Sequence, residues 1–315
     1  MTETTPQLPI GIVQDKYALP SALEFLDFAC QTQVHYAEFK YELALDKSFN
    51  LRGPVAETIR RKAEQNNISL SVHAPYNDGV SLGDPDPEVK ERTREQMRSC
   101  LQFAEKIGAK YITVHGGFFE IEPKQKVTDT LGKPNRFTVK DFVSVQEYAD
   151  LKKRTIDELG WLIAEAKAYG VKIALENFHD FSSFKVRFPL VPQDFRECRE
   201  ALGDTFFINY DSGHGHSTGI HILDFIEGVG VQNIIGTHLH DNNQVADEHL
   251  PVLEGSIDFQ SFFERYLQEG WTFPLNLENK NATDLLKSLD VVRGQNWKTW
   301  RAANNAGDSS TKEKV

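Results

Sequence analysis

Eight short strand-like segments alternate with eight longer helical segments along this chain, and this alternation restricts the possible folds more than any other feature. The short segments are rich in β-branched and aromatic residues, whereas the longer ones carry apolar residues at helical spacing. The predicted strands are 9–13, 34–39, 68–73, 110–115, 171–176, 205–211, 233–238 and 272–278. The predicted helices are 21–31, 55–66, 87–107, 151–169, 193–202, 221–229, 259–268 and 284–292. Strands that alternate with helices indicate a parallel sheet.

Eight strand–helix units within 315 residues favour an α/β fold made of a single (β/α)8 TIM barrel. An open doubly wound sheet is the alternative, but its common form has only about six strands. We expect residues 1–301 to form the barrel and residues 302–315 to be a disordered polar tail. The interval after strand four is longer than its neighbours, which predicts an inserted βα loop at about 118–150. This loop could act as a lid, a specificity loop, a surface elaboration or an oligomer contact.

Charge and cysteine content narrow the functional classes. The formal net charge of −11 repels nucleic acid and anionic lipid, although bound divalent cations would reverse the local field. The three cysteines, Cys30, Cys100 and Cys198, form no C-x-x-C pattern, which indicates reduced thiols and a cytoplasmic protein. The sequence shows neither a secretory signal pattern nor an apolar run of about 18 residues, so we expect no membrane association.

Histidine or acidic residues end six consecutive predicted strands, from the third to the eighth. These residues are His73, His115, Glu176, Asp211, His238 and Glu278. In a barrel they would meet at one mouth, together with Asp247 and His249 from the loop after strand seven. Four carboxylates at one mouth repel one another unless cations neutralise them. Mixed imidazole and carboxylate ligands suit Zn²⁺, Mn²⁺ or Co²⁺ better than Mg²⁺ or Ca²⁺.

An ordered set of short motifs between about residues 68 and 280 resembles the xylose-isomerase-like TIM barrel superfamily. The motifs are His73-Ala-Pro-Tyr76, Val114-His115-Gly-Gly117, Leu175-Glu176-Asn177, Asp211-Ser-Gly-His214, His238-Leu-His-Asp241, Asp247-Glu-His249 and Leu277-Glu278-Asn279. That superfamily includes sugar and sugar phosphate isomerases and epimerases. It also includes endonuclease IV, a zinc enzyme that incises DNA at abasic sites.

The resemblance implies roles for particular residues. In the epimerase branch, the residues that match Glu176, Asp211, His238 and Glu278 hold one metal ion, and the two glutamates are also the catalytic acid and base. In the endonuclease branch, the residues that match His73, His115, His214, Asp247 and His249 complete a three-metal cluster. All nine residues are present, so the chain is expected to bind one to three divalent ions.

Four side chains are expected to contact the substrate, namely His214, Glu38, Tyr76 and His240. A solvated or salt-bridged carboxylate is the alternative interpretation of Glu38. An imidazole that supports a metal ligand is the alternative interpretation of His240.

Departures from the endonuclease pattern favour the sugar branch. The chain has His115-Gly116-Gly117 where endonucleases have His-Pro-Gly, Glu248 where they have a basic residue, and a shorter stretch between His238 and Asp247. The run Glu254-Gly-Ser-Ile-Asp258-Phe259 resembles that of sugar phosphate isomerases and epimerases.

We therefore expect a metal-dependent isomerase or epimerase that acts on a sugar or sugar phosphate and is able to form a homo-oligomer. A metal-cluster phosphoesterase acting on abasic DNA or another phosphodiester is the alternative, and a non-catalytic sugar-binding or scaffold barrel is a third reading. The number of bound ions discriminates between the two enzymes, because one divalent cation leaves the four carboxylates net negative whereas three leave the site net positive.

Overall fold

The computed structural model of the chain describes residues 8–44, 54–76, 79–120, 144–180, 185–295 and 297. Its strands are β1 (Ile10–Val13), β2 (Tyr36–Lys40), β3 (Ser69–His73), β4 (Tyr111–His115), β5 (Gly117–Glu120), β6 (Lys172–Glu176), β7 (Lys185–Phe188), β8 (Phe207–Asp211), β9 (Ile234–His238) and β10 (Leu275–Leu277). Its helices are α1 (Ala22–Gln31), α2 (Tyr41–Ala44), α3 (Pro54–Gln65), α4 (Pro87–Ile107), α5 (Val145–Ala166), α6 (Pro192–Leu202), α7 (Ser212–Ser217), α8 (Ile222–Val229), α9 (Phe259–Gln268) and α10 (Ala282–Gly294).

Eight of the strands form a parallel barrel, as the alternation of strands and helices predicts. Their order is β10-β1-β2-β3-β4-β6-β8-β9. The ring is completed beyond the last strands, where the Leu239 amide donates to the Asn276 carbonyl at 2.7 Å and the Glu278 amide donates to the Leu239 carbonyl at 3.1 Å. All eight strands therefore end at the same mouth.

The eight predicted strands agree with the barrel strands to within three residues at each end. The eight predicted helices also form, but α5 begins at Val145 rather than at residue 151. Its start is fixed by a capping box in which Ser144 and Glu147 exchange hydrogen bonds with each other's backbone amides. A sequence pattern based on apolar spacing misses such a polar first turn.

The expected insertion at 118–150 has ordered secondary structure at both of its ends. Residues 118–120 belong to β5 and residues 145–150 belong to α5, while 121–143 lie outside the described residues. Strand β5 pairs in antiparallel fashion with β7, and together they form a two-stranded ribbon. Neither strand was predicted: β5 lies at the start of the expected insertion, and β7 lies between the predicted strand at 171–176 and the predicted helix at 193–202. The expected tail at 302–315 also lies outside the described residues.

The alternation of side chains along β2 shows how the barrel separates an apolar layer from a polar interior. Phe39 points towards the helices and packs edge-to-face on Phe25 of α1, with ring centroids 5.1 Å apart. Glu38 points the other way and is fully buried inside the barrel. Because side chains along a strand alternate between its two faces, one strand supplies both the core contact and an interior carboxylate.

Glycine makes room for other polar groups in the barrel interior. A Cβ atom on Gly236 would lie 2.4 Å from the Tyr111 hydroxyl and 2.5 Å from Asn209 Oδ1. All three residues lie on barrel strands, and Tyr111 and Asn209 are buried. The polar layer beneath the mouth is therefore close-packed.

None of the helices in the described ranges has the length and apolar character needed to span a bilayer. Cys30, Cys100 and Cys198 are free thiols, and burial raises the pKa of Cys198 to about 12.

We expect Gly236→Ala to lower the free energy of unfolding by about 1–3 kcal/mol, because the new methyl group overpacks the interior layer. The matched control is Gly160→Ala in α5, where the nearest atom to the new Cβ is the flexible end of Leu202 at 3.1 Å. Alanine favours the helix, so the control should be neutral or slightly stabilising. Urea denaturation of both variants measures the difference. Equal stability of the two variants would contradict a close-packed polar interior.

Candidate metal centre and active site

A cavity of about 380 Å³ opens at the carboxyl ends of the barrel strands. Eight of the twelve predicted site residues line it: His73, Tyr76, His115, Glu176, His214, Asp247, His249 and Glu278. The other four lie beneath its surface with no exposed area: Glu38, Asp211, His238 and His240. The cavity and the polar layer under it thus hold all twelve predicted residues.

The centre of this layer is the imidazole of His238. Its Nδ1 atom lies 3.0 Å from Glu176 Oε1, 3.3 Å from Glu278 Oε2 and 3.9 Å from Asp211 Oδ2. These carboxylates come from the ends of β6, β10 and β8, so only closure of the barrel brings them together. One imidazole nitrogen and three carboxylates form a donor set that suits a divalent transition metal.

Glu38 orients His238 from the opposite side of the ring. Its carboxylate accepts a hydrogen bond from His238 Nε2 at 2.7 Å and further bonds from Ser71 Oγ at 2.8 Å and Thr113 Oγ1 at 3.0 Å. A carboxylate only accepts, and carboxylates face both ring nitrogens, so the ion-free ring carries a proton on each. An ion that displaces the proton on Nδ1 would leave the proton on Nε2, which Glu38 holds. The side chain of Glu38 is fully buried and does not line the cavity, and its pairing with His238 agrees with the alternative interpretation, a salt-bridged carboxylate.

The second oxygen of Glu176 faces another pair of imidazoles. His73 Nε2 lies 3.2 Å and His115 Nε2 lies 3.6 Å from Glu176 Oε2. This oxygen is buried and has no hydrogen-bond partner. Donor atoms of these three residues lie within 4.8 Å of one another. Glu176 therefore joins this group to the one around His238 through its two oxygens.

Asp247 lies at the centre of a third group of imidazoles. Its Oδ2 accepts a hydrogen bond from His249 Nε2 at 3.0 Å. Its Oδ1 is buried without a hydrogen bond and lies 3.9 Å from both His214 Nε2 and His240 Nε2. Like Glu176, Asp247 thus has a carboxylate oxygen that is out of water and open to an ion.

His240 lies within the donor network rather than at the cavity surface. Its Nε2 is 3.2 Å from Asp211 Oδ2, and its ring stacks on that of His249 with centroids 3.9 Å apart. The whole residue is buried beneath the cavity and does not line it. Its position agrees with the alternative, an imidazole that supports a metal ligand.

Burial and nearby charges keep one imidazole of the site neutral and favour protonation of two others. Burial lowers the pKa of His115 to about 3, which leaves that ring neutral. Burial also opposes protonation of His238, but the carboxylates of Glu176, Glu278 and Glu38 outweigh it and hold its pKa well above the ordinary value. His240 is likewise buried, and Asp211 raises its pKa to about 9. Protonated imidazoles thus neutralise part of the acidic cluster, which is the role that a bound cation would take over.

Several charged groups in the cavity were not predicted from the sequence. Lys40 follows Glu38 by two positions on β2, and its Nζ lies 2.9 Å from Glu278 Oε1. Lys185 and Arg187 reach the cavity from β7. The strand prediction for residues 34–39 stopped one residue before Lys40, and β7 was not predicted, so no periodicity pointed to these cations.

The residues fit divalent ions. Four groups of His, Asp and Glu side chains each place their donor atoms within 4.8 Å of one another: His73, His115 and Glu176; Glu176, Asp211 and His238; Asp211, His214 and His240; and His240, Asp247 and His249. Glu176 and Asp247, which carry the two unpartnered carboxylate oxygens, belong to three of these groups, and mixed nitrogen and oxygen donors suit Zn²⁺, Mn²⁺ or Co²⁺.

Comparison with known proteins supports the barrel fold and shows the family. A family model described as a xylose isomerase-like TIM barrel matches residues 27–297. An uncharacterized protein of Methanocaldococcus jannaschii is 27% identical over 72% of this chain and 69% of its own length. The L-ribulose-5-phosphate 3-epimerase of Escherichia coli is 22% identical over 94% of this chain and 96% of its own. Among solved structures, a D-tagatose 3-epimerase-like protein superposes with a TM-score of 0.72 at 20% identity, covering 94% of this chain and 99% of the other.

We expect Glu38→Gln to weaken metal binding by about tenfold to a hundredfold, because the amide no longer holds His238 as a charge-assisted acceptor does. Competition with a fluorescent chelator measures the affinity. Glu64→Gln on the outer surface of α3 is the control, since Glu64 is 65% exposed and pairs with neighbouring Arg60. Wild-type affinity in Glu38→Gln would show that this hydrogen bond does not support the site.

We also expect metal affinity to increase as the pH rises from roughly 6 to 8. The raised pKa of His238 keeps a proton on the ring in the ion-free protein, and an ion must displace that proton from Nδ1. Titration calorimetry in two buffers of different ionisation enthalpy should therefore detect proton release on metal binding. Release of no protons near pH 7 would exclude His238 as a ligand that titrates in this way.

Proposed function

The chain belongs to the xylose isomerase-like TIM barrel family, and from this premise we propose that it is a metal-dependent epimerase or isomerase of sugars or sugar phosphates. The observation that carries the proposal is the convergence of Glu176, Asp211 and Glu278 on Nδ1 of His238. The relatives described as L-ribulose-5-phosphate 3-epimerase and D-tagatose 3-epimerase-like support the reaction class.

Glu176, Asp211, His238 and Glu278 would hold the ion, with Zn²⁺, Mn²⁺ or Co²⁺ as candidates. A bound divalent ion would polarise adjacent carbonyl and hydroxyl oxygens of the sugar and so ease removal of a proton from the carbon that bears the hydroxyl, next to the carbonyl. The protein must then supply a base that takes this proton and an acid that returns one.

Glu176 and Glu278 are the proposed acid–base pair. Both line the cavity, and their strands β6 and β10 are separated in the barrel by β8 and β9. A sugar carbon between two carboxylates can lose a proton to one and gain a proton from the other. Despite burial, nearby cations hold the pKa of both carboxyls well below the ordinary value, so both are ionised before the substrate binds. Either one would take the substrate proton, and the other would act as the acid only after it has itself taken up a proton from solvent.

His214 and Tyr76 are the proposed substrate contacts. His214 Nδ1 donates to the Asn177 carbonyl at 2.8 Å, which leaves Nε2 as an acceptor for a sugar hydroxyl when the ring is neutral. Tyr76 is 37% exposed at the cavity and packs against His73 and His115, with ring centroids 4.9 and 5.4 Å away. A sugar bound above the acids would therefore meet one imidazole and one aromatic ring.

A metal-cluster phosphoesterase is the second candidate. The groups around Glu176 Oε2 and around Asp247 favour it, because a single ion at His238 does not use them. Metal analysis of the purified protein separates the two candidates. One tightly bound ion per chain supports the epimerase, whereas three ions together with cleavage of an abasic-site duplex would support the phosphoesterase.

We expect Glu176→Gln and Glu278→Gln each to lower kcat by about a hundredfold to ten-thousandfold, because an amide cannot exchange the substrate proton. Epimerisation in deuterated water, followed by NMR, measures turnover and incorporation of deuterium at the reacting carbon. Glu254→Gln is the control, since Glu254 is 48% exposed and pairs with Lys287 on the outside. Full turnover in either active-site variant would remove that residue from the acid–base pair.

A further inference from the structure

The ribbon formed by β5 and β7 presents charged side chains to the cavity. Alternation along β7 places Val186 and Phe188 on its buried face, where they are 1% and 0% exposed. Lys185 and Arg187 occupy the other face, and both line the cavity. The ribbon thus gives the cavity a wall with two cations on one strand.

Residues of β5 complete this wall. Phe118 stands opposite Arg187 in the ribbon, and Glu120 stands opposite Lys185. Lys185 Nζ lies 4.7 Å above the ring of Phe118 and 3.3 Å from Glu120 Oε1. Glu120 is 73% exposed at its side chain, so solvent screens much of this ion pair. The ammonium group of Lys185 therefore retains much of its attraction for an anion in the cavity.

Arg187 is the more buried cation of the wall. It is only 7% exposed, and burial lowers its pKa to about 10, although Asp180 and Asp247 act in the opposite direction. A guanidinium group has five N–H donors in a planar fork, so it can keep a protein partner and still bind an anion through two of them. It is thus suited to bidentate recognition of a phosphate group.

The other basic residues that line the cavity have different surroundings. Lys40 is paired with Glu278 at 2.9 Å, and Lys280 donates to the Asp247 carbonyl at 2.5 Å. Lys16 also lines the cavity and lies beside Asp15 in the loop after β1. Lys185 and Arg187 are the two cations that share one face of one strand.

We propose that Lys185 and Arg187 bind the phosphate group of the substrate, so that the enzyme acts on sugar monophosphates in preference to free sugars. This inference rests on the proposed epimerase or isomerase function. Arg187 and Asp247 are close enough for their charges to interact, and Asp247 lies 3.9 Å from His214. The phosphate end of the sugar would therefore lie on the His214 side of the cavity, with the reacting carbon between Glu176 and Glu278.

Binding of inorganic phosphate to the metal-loaded protein tests whether Lys185 and Arg187 form an anion site, and it does not require turnover. We expect Arg187→Gln to raise the dissociation constant of phosphate by about 10- to 100-fold, the usual cost of removing a charge-assisted hydrogen bond. Arg265→Gln on α9 is the matched control, since Arg265 is 42% exposed and pairs with Glu269. Metal content is measured in each sample. A dissociation constant within twofold of wild type in Arg187→Gln, at unchanged metal content, overturns the proposal.

Two further variants keep the test decisive if Arg187→Gln does not fold. Arg187→Lys retains the charge but loses the planar fork, and we expect it to bind phosphate several-fold more weakly than wild type. Lys185→Gln changes a 30% exposed side chain and should weaken binding by a smaller factor. Wild-type phosphate affinity in both variants would also overturn the proposal.

Turnover of L-ribulose 5-phosphate and of L-ribulose separates this inference from the proposed function. We expect wild type to have the higher kcat/KM for the phosphate, and the ratio of the two values to fall at least tenfold in Arg187→Gln. Equal kcat/KM for both sugars in wild type, or preference for the free sugar, overturns the phosphate site while it supports the epimerase. Phosphate binding that depends on Arg187, without turnover of either sugar, instead supports the anion site and counts against the epimerase.

Discussion

The hydrogen bond between Glu38 and His238 is the interaction on which the rest of the site depends. Glu38 accepts a hydrogen bond from His238 Nε2 at 2.7 Å inside the barrel. The opposite nitrogen, Nδ1, therefore faces three carboxylates at the mouth. An imidazole without this partner could rotate or change its tautomer. The position and the chemistry of the central donor are therefore set from beneath, by a residue that no ligand in the cavity reaches.

Placing so many acids at one mouth is costly, and the structure shows how the cost is offset. Buried carboxylates are destabilising unless they are paired or bound to a cation. Here each carboxylate of the four donor groups, and Glu278 as well, lies next to at least one imidazole, and Lys40 pairs with Glu278 at 2.9 Å. Glu176 and Asp247 nevertheless each keep a buried oxygen without a hydrogen bond. Those oxygens indicate that imidazoles neutralise the cluster only in part, which leaves room for divalent ions.

The cavity has two chemically different parts. Its floor is the acidic and imidazole-rich layer around His238, whereas the ribbon wall carries Lys185 and Arg187 beside the ring of Phe118. A sugar has a polar carbon chain that suits the floor, and a phosphate group suits the cationic wall. This division matters in a chain whose net charge is −11, because a phosphorylated substrate would otherwise be repelled by the protein as a whole.

The barrel and the chemical content of its mouth could be predicted from the amino-acid sequence alone. Alternating strand and helix patterns predicted eight units, and the polar ends of six strands marked Glu176, Asp211, His238 and Glu278, because strand ends in a barrel share one mouth. How deeply each side chain is buried, and which residue it contacts, depends on the tertiary structure. It placed Glu38 and His240 beneath the cavity, paired Lys40 with Glu278 and brought Arg187 onto the wall. Periodicity reports which face of a strand a residue occupies, whereas a contact between residues 200 positions apart, such as that of Glu38 with His238, arises only when the ring of strands closes.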